Sequence, residues 1–397
     1  MKASLLSLVG AAVLGLAGPA FADQMLAIPG RTDFTFDSSG ILYVTAGSDI
    51  VRYDTNAGGY LPTFPVGGSL VGIDLSPDGG TLAVADSTTQ DGKDRIVLVD
   101  SGTGATTEKS FPLDFSEAGT YMVAWGADGR LLVTSRFAGS GWVPLRLYDP
   151  GTDTVTTLRT VRQDTMLTAS ADRSTIGLAE SNISSGPVSA YDAGSGDVVG
   201  TVNTNWFTYE VAVSAVGDQF VVPTYNGAYV YDRAGSTFTL RTTLGQYATY
   251  GPVGAVYSPV APYLFTAEYD NAGARSGVKV YDTSTFTQVA SLDAYRFPWS
   301  GNHALGQGRM KISPDGGTLA VSVDGGIRVY DVSAFTAAAP GPVRAAAGMA
   351  RAAVSLEPRV ASSKARALRL APPTPRRPSP GRADAAGSSR LRGRRAR

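Results

Sequence analysis

The chain contains one histidine, His303, and no cysteine. His303 lies in "DAYRFPWSGNHALGQGR" (293–309), together with Arg296 and Arg309. An imidazole near guanidinium groups has the composition of a site that activates water and holds an anion. A carboxylate such as Glu210 or Glu268 would complete it. Spacing alone does not bring these groups together, and a lone loop histidine is usually a surface residue. The missing cysteines exclude disulfides, thiolate metal sites and covalent haem attachment, and a single histidine excludes any site needing two imidazoles. No cofactor is expected.

A second set of residues suits binding rather than catalysis. Trp142 ends "SRFAGSGW" (135–142), and Trp206 and Tyr209 lie in "NTNWFTYE" (203–210). Tyr247 lies in "GQYATYG" (245–251), Tyr269 in "EYDNAGARSG" (268–277), and Tyr295, Arg296 and Trp299 in 293–309. Aromatic rings with arginines make sugar platforms and peptide grooves, although the same rings also serve as packing between neighbouring elements. "DSTTQDGKD" (86–94) sets Asp86, Asp91 and Asp94 in one loop, where carboxylates suit Ca²⁺. The spacing is not that of a calcium loop, and Lys93 sits among the acids, so a solvated turn is the simpler expectation. No phosphate-cradling glycine loop and no Ser-His-Asp set can be argued.

These loops need a scaffold, and the scaffold is a repeat. Short β-branched and aromatic runs end in aspartate seven times, at Asp54, Asp100, Asp149, Asp192, Asp232, Asp282 and Asp331. Upstream of each lies a turn followed by a strand, and the stretch "SPDGGTLAV" occurs letter for letter at 76–84 and 313–321. Ser-Pro-Asp-Gly is a turn with a mechanism: proline presets φ, aspartate bonds nearby backbone, and glycine accepts positive φ. Each repeat therefore reads as four strands, A to D, and seven such repeats predict an all-β, seven-bladed β-propeller with four-stranded antiparallel blades. The last repeat supplies A, B and C strands only, whereas "QMLAIPG" (24–30) precedes the first A-strand as an orphan. The N-terminal strand is thus expected to close the last blade. In such a ring the longest connections are D–A and B–C, which share one end, and ligands are expected there.

The chain resembles the YVTN-type β-propellers of secreted bacterial proteins, relatives of WD-repeat and lactonase-like propellers. The resemblance covers roughly 24–335 and is carried by "ILYVTAGSDIVRYDTNAG", "PVGGSLVGIDLSPDGGTLAVADS" and the recurrent "VYD" strand ends. It implies the fold strongly and the function weakly, because propellers host enzymes, electron-transfer partners and binding modules alike. A lactonase-like hydrolase would use His303 as base, with Arg296 or Arg309 on the substrate and Glu210 or Glu268 assisting. No residue-by-residue match to a lactonase site exists. A binding or protein-interaction module for a protein, peptide or glycan, and a purely structural surface protein, are the other readings.

The two chain ends differ from the middle. Lys2, the apolar run 5–18 and the small residues Ala20 and Ala22 form a signal-peptide pattern, so 1–22 is expected to be removed and the protein exported to periplasm or exterior. No membrane span is expected in the mature chain. The segment 23–335 holds 32 acidic and 19 basic residues, while 336–397 holds 14 basic against two acidic. The domain plan is a signal peptide at 1–22, a propeller at 23–336, and a basic Ala/Arg/Pro-rich tail at 337–397 whose composition predicts disorder. A monomer without a nucleic-acid partner is expected.

Overall fold

The computed structural model describes residues 23–245, 252–268, 277–293, 299–300, 303–304 and 309–336, with backbone alone at 293, 299–300 and 303–304. The expected signal peptide and basic tail lie outside the described residues. Among the described residues seven four-stranded antiparallel sheets follow one another along the chain, with no helix long and apolar enough to cross a membrane. Their innermost strands are Arg31–Phe36, Leu70–Leu75, Glu117–Trp125, Met166–Ala169, Ala212–Val213, Pro252–Tyr257 and Met310–Ile312. Each touches the innermost strand of the next blade, and the seventh touches the first, so the sheets form a closed ring.

Closure occurs as the orphan strand implies. Asp23–Leu26 pairs antiparallel with Gly326–Asp331, in the register Asp23↔Tyr330 to Leu26↔Ile327. Leu26 and Ile28 then enter a cluster with Phe34, Leu42 and Tyr53 of the first blade and Ile327 and Val329 of the seventh. Side-chain bonds from Arg328 to Asp23 and from Tyr53 to Gln24 fasten the same strand. A 3-10 turn, Ser333–Phe335, ends the described chain and sets the Phe335 ring 5.2 Å from Tyr263 and 5.8 Å from Phe265 on the sixth blade.

The core is a set of interfaces between blades rather than one centre. The second strand of each blade is buried on both faces, as in Thr318–Val323 and Tyr263–Glu268, which explains runs such as "LAVSV" and "YLFTA". Outermost strands such as Thr237–Leu244 are mostly exposed and polar. Within one cluster Tyr43, Ile50 and Phe64 of the first blade pack on Leu70, Leu82 and Val97 of the second, and comparable clusters join the other neighbours.

The recurrent motifs are turn devices. In the second blade Ser76 Oγ donates to Asp78 Oδ1 at 2.5 Å, and the same oxygen accepts from Gly80 N at 3.0 Å. Ser313 and Asp315 repeat both distances in the seventh blade, and Ser170–Asp172 and Ser214–Asp218 repeat the serine–aspartate bond at 2.7 and 2.6 Å. The aspartate of "VYD" closes the turn at the same end of the blade: Asp282 Oδ1 accepts from Ser284 N at 2.9 Å and Thr285 N at 3.1 Å. Glycine is required at Gly79, where φ is +75°.

One expected loop is instead regular structure. The strands Thr81–Gln90 and Lys93–Asp100 run through "DSTTQDGKD", leaving Asp91-Gly92 as a two-residue hairpin with φ of +50° and +69°. Asp-Gly supplies the two left-handed positions that a type I′ turn demands, so the ladder continues where the acidic composition suggested a loop.

Candidate functional site

The innermost strand of every blade is a sheet edge facing the ring axis, with backbone N–H groups that need acceptors. Carboxylates from the preceding blade supply some of them. Asp33 accepts from Ile73 N at 3.0 Å, Asp74 from Trp125 N at 2.8 Å, and Glu210 from Ala255 N. Two arginines reach further. Arg173 of the fourth blade grips Asp74 of the second at 2.7 and 3.1 Å, passing the third blade, where it also donates to Trp125 O. Arg309, entering the seventh blade, donates through Nη1 to Tyr209 O and, at 3.3 Å, to Glu210 Oε2 of the fifth. That second brace passes over Gly254, where a Cβ would stand 3.1 Å from Glu210 Oε1 and 3.4 Å from Arg309 Cβ.

Asp74, Arg173, Glu210 and Arg309 line a cavity of about 390 Å³ along the ring axis, to which all seven innermost strands contribute. Its apolar wall includes Ile73, Met122, Leu167 and Met310, and its polar groups include Arg309, Lys311 and Glu210. The A–B turns, with Pro77, Ala171, Pro259 and Pro314, form its rim among the described residues. Burial pushes the Asp33 and Glu210 carboxyls above their usual range, with Lys311 opposing both and Arg309 opposing it at Glu210.

The opposite end of the ring carries the D–A and B–C loops, and it differs in chemistry. Among the described residues Phe115 (84% exposed), Trp142 (55%), Trp206 (40%) and Tyr225 (50%) all occupy it. The Arg162 guanidinium lies 5.0 Å from the centre of the Trp142 ring. It is fixed there by Gly141 O at 2.9 Å, Ser140 Oγ at 2.6 Å and Asn182 O at 2.7 Å. Phe115 and Phe137 meet edge to face at 6.4 Å. Beneath this surface Glu117 and Arg146 form a buried ion pair, with Arg146 also donating to Pro112 O at 3.2 Å and lying 4.7 Å from the Phe111 ring. Nearby Asp94 has its pKa pushed up to about 6 by burial and then by the Glu117 charge.

The residues singled out in the sequence fall into distinct places. Trp142 and Trp206 are exposed at the loop end; Tyr209 is buried, with its ring 5.6 Å from Phe207. Tyr247, Tyr269, Tyr295 and Arg296 lie outside the described residues. Trp299 and His303 belong to a small hairpin, Trp299–Ser300 with His303–Ala304, in which Ser300 pairs with His303. Glu210 and Arg309 are brought together, but as the buried brace described above. Glu268 is also buried and accepts from Tyr281 Oη at 2.9 Å and from Lys279. The three aspartates of 86–94 are divided among separate tasks. Asp86 is buried and pairs with Arg95 at 2.6 Å, Asp91 occupies the hairpin turn, and Asp94 accepts from Gly119 N at 2.9 Å. Among the described residues no group of three or more His, Cys, Asp or Glu side chains is placed to hold a metal ion. Phe115 and Tyr225 were not singled out because their loops are short; the signal for them was the repeat register, which assigns both to the loop end.

Comparison with known proteins places the fold and goes no further. No family model matches the chain, and no curated protein matches it in sequence. Solved structures do. The Cps50 (Swd1) β-propeller domain of Myceliophteria thermophila superimposes with a TM-score of 0.59 at 13% identity, covering 78% of this chain and all of that one. A chain of a mitotic checkpoint complex gives 0.60 at 14%, covering 84% and 99%. Kuenenia stuttgartiensis hydrazine synthase gives 0.56 at 15%, covering 78% and 97%. The chain is a seven-bladed β-propeller.

Proposed function

We propose that this chain is an exported β-propeller of the YVTN type that binds a protein or peptide through the end carrying the D–A and B–C loops. The observation that carries the reading is the gathering of exposed rings, since four of the five among the described residues, Phe115, Trp142, Trp206 and Tyr225, share one end of the ring, and only Tyr60 lies elsewhere, beside a C–D turn. Large apolar side chains left in water together mark interaction surfaces, and Trp, Tyr and Arg are the residues on which binding energy concentrates. Arg162 covers one side of Trp142, so the ring is held in place before a partner arrives, which lowers the ordering cost of binding. The presence of a similar propeller in a mitotic checkpoint complex accords with this use of the fold. Export rests on the composition of 1–22, and the closing strand begins at Asp23, so cleavage before that residue would leave the ring whole.

The test is selection of a phage-displayed peptide library on the full protein, alongside a glycan array. Selected peptides are expected to lose about tenfold or more in affinity for the Trp142→Ala/Trp206→Ala double variant while its melting temperature is unchanged. Peptides that bind the double variant equally well would remove the proposal, and glycan hits lost in the double variant would move the ligand class to sugars. N-terminal sequencing of the exported protein should start at Asp23; a retained leader would remove the export assignment.

A further inference from the structure

Phe115 is the most exposed large apolar side chain among the described residues, at 84%, yet the turn that carries it is firmly fixed. Asp114 N donates to Glu117 Oε2 at 2.6 Å, and Glu117 N donates back to Asp114 O at 3.2 Å. Phe115 N donates to Asp114 Oδ1 at 2.7 Å, and Ala138 N of the third blade donates to Ser116 O, also at 2.7 Å. Ser116 is held at φ +58°, in the left-handed region that a residue with a Cβ adopts only at a cost. Glu117 is itself anchored by its buried pair with Arg146. The ring therefore stands in water as a rigid knob, ordered before any contact is made.

A hole lies beside the knob. Between the outer strands of the second and third blades, a groove of about 330 Å³ is lined by buried Phe111 and Pro144 and half-buried Leu113 and Val155, with exposed Asp114 and Thr157 at its rim. Cavities of about 150 Å³ accommodate benzene, so the groove has room for a phenyl ring. Phe115 does not fill it in its own chain, since its ring rests edge-on against Phe137 at 6.4 Å. Lys93, across the ladder from Pro112, is exposed, as is Asp114, and neither forms an ion pair among the described residues.

We infer that two copies of this chain pair about a two-fold axis beside the second and third blades, each inserting Phe115 into the groove of the other. A knob and a hole side by side on one surface make that surface self-complementary, which is the condition for a closed two-fold contact. The opposite charges of Lys93 and Asp114 suit the same operation, which sets each toward its counterpart in the other copy. A dimer then replaces the monomer expected from the sequence. The pairing rests on the same premise as the proposed function, that exposed rings at the loop end are contact residues. It uses Phe115, however, and leaves Trp142, Trp206 and Tyr225 to the peptide.

Sedimentation of the full protein over about 1–200 μM should show a monomer–dimer equilibrium, since so small a contact gives a dissociation constant in the micromolar range. Phe115→Ser, at an exposed position, should raise that constant about a hundredfold or more, because each dimer loses the ring twice. Thr157→Arg crowds the rim of the groove and should act in the same direction. Mixed in equal amounts, the two variants retain one intact knob and one intact groove between them, and should associate more tightly than either does alone. The Trp142→Ala/Trp206→Ala double variant should dimerise like the unaltered protein, so peptide binding and pairing can fail separately. A monomer throughout the range, an unchanged constant in either single variant, no gain on mixing, or loss of the dimer in the double tryptophan variant would each overturn the proposal.

Discussion

The two ends of the ring are built on different plans. At the end of the A–B and C–D turns, the same serine–aspartate and aspartate–backbone bonds recur in blade after blade. The carboxyls of Asp78 and Asp315 are held below the usual range by the serine hydroxyl and then the following amide. At the other end the loops differ in length and sequence, and four of the five exposed rings among the described residues gather there over the third to fifth blades. Repetition marks the end that holds the blades in shape, and irregularity marks the end free to acquire a partner. The axial channel crosses the division, with a regular rim and two braces that each skip a blade, Arg173–Asp74 and Arg309–Glu210.

This contrast can be broken by experiment. The largest effect should come from deleting 23–28, on which both ends depend. Losing buried Leu26 and Ile28 together with their ladder should cost ~5 kcal/mol or more, read by chemical denaturation. An unchanged midpoint would mean the ring does not need its closing strand. Next is Arg146→Met, which strands Glu117 in the interior and should cost ~3–5 kcal/mol; a smaller loss would show the loop end to be less firmly anchored than its buried pair implies.

Asp94 sharpens the comparison through pH. Its pKa is raised in the folded state, so its contribution to stability is fully present below the ordinary value of 3.8 and is lost as pH rises through about 6. Asp94→Asn should flatten that part of the stability–pH curve, measured by urea titration at several pH values; an unaltered slope would assign it to other groups. The smallest effects separate the two ends most cleanly. Asp78→Ala and Asp315→Ala remove the same bonds and should each cost about 1 kcal/mol with peptide binding untouched. Unequal costs in the two variants would mean that the identical motifs do different work.

The architecture was legible because turn chemistry and strand period repeat together. Even the closing strand could be placed, since one repeat lacked a strand and one strand lacked a repeat. The channel was harder. Asp74 and Arg173 stand 99 residues apart, and so do Glu210 and Arg309, in each case two blades along the chain. Neither pair is visible locally, and only superposing the repeats would suggest that side chains from alternate blades meet over the one between. Tyr209 and Trp206 show a second limit. They are three residues apart in one aromatic run, yet one is buried and the other exposed, because the turn at Asn205 (φ +61°) and the bridge from Thr208 to Thr224 decide which way each faces. Asp86–Asp94 misled for a related reason, since acidic residues suggested a loop whereas Asp-Gly extended a hairpin.

The pairing of Asp23–Leu26 with Gly326–Asp331 also sets an order of assembly. During synthesis the six earlier blades emerge one after another, each with its own four strands, and each can dock on its predecessor. The strand at Asp23 leaves the ribosome before all of them and finds its partner only when some 300 residues have followed. Ring closure is therefore the last and least local event, with the slow kinetics that long-range pairing brings. Until then the edges of the first and last blades stand open, and the nascent protein is most exposed to mispairing with another chain just before it is complete.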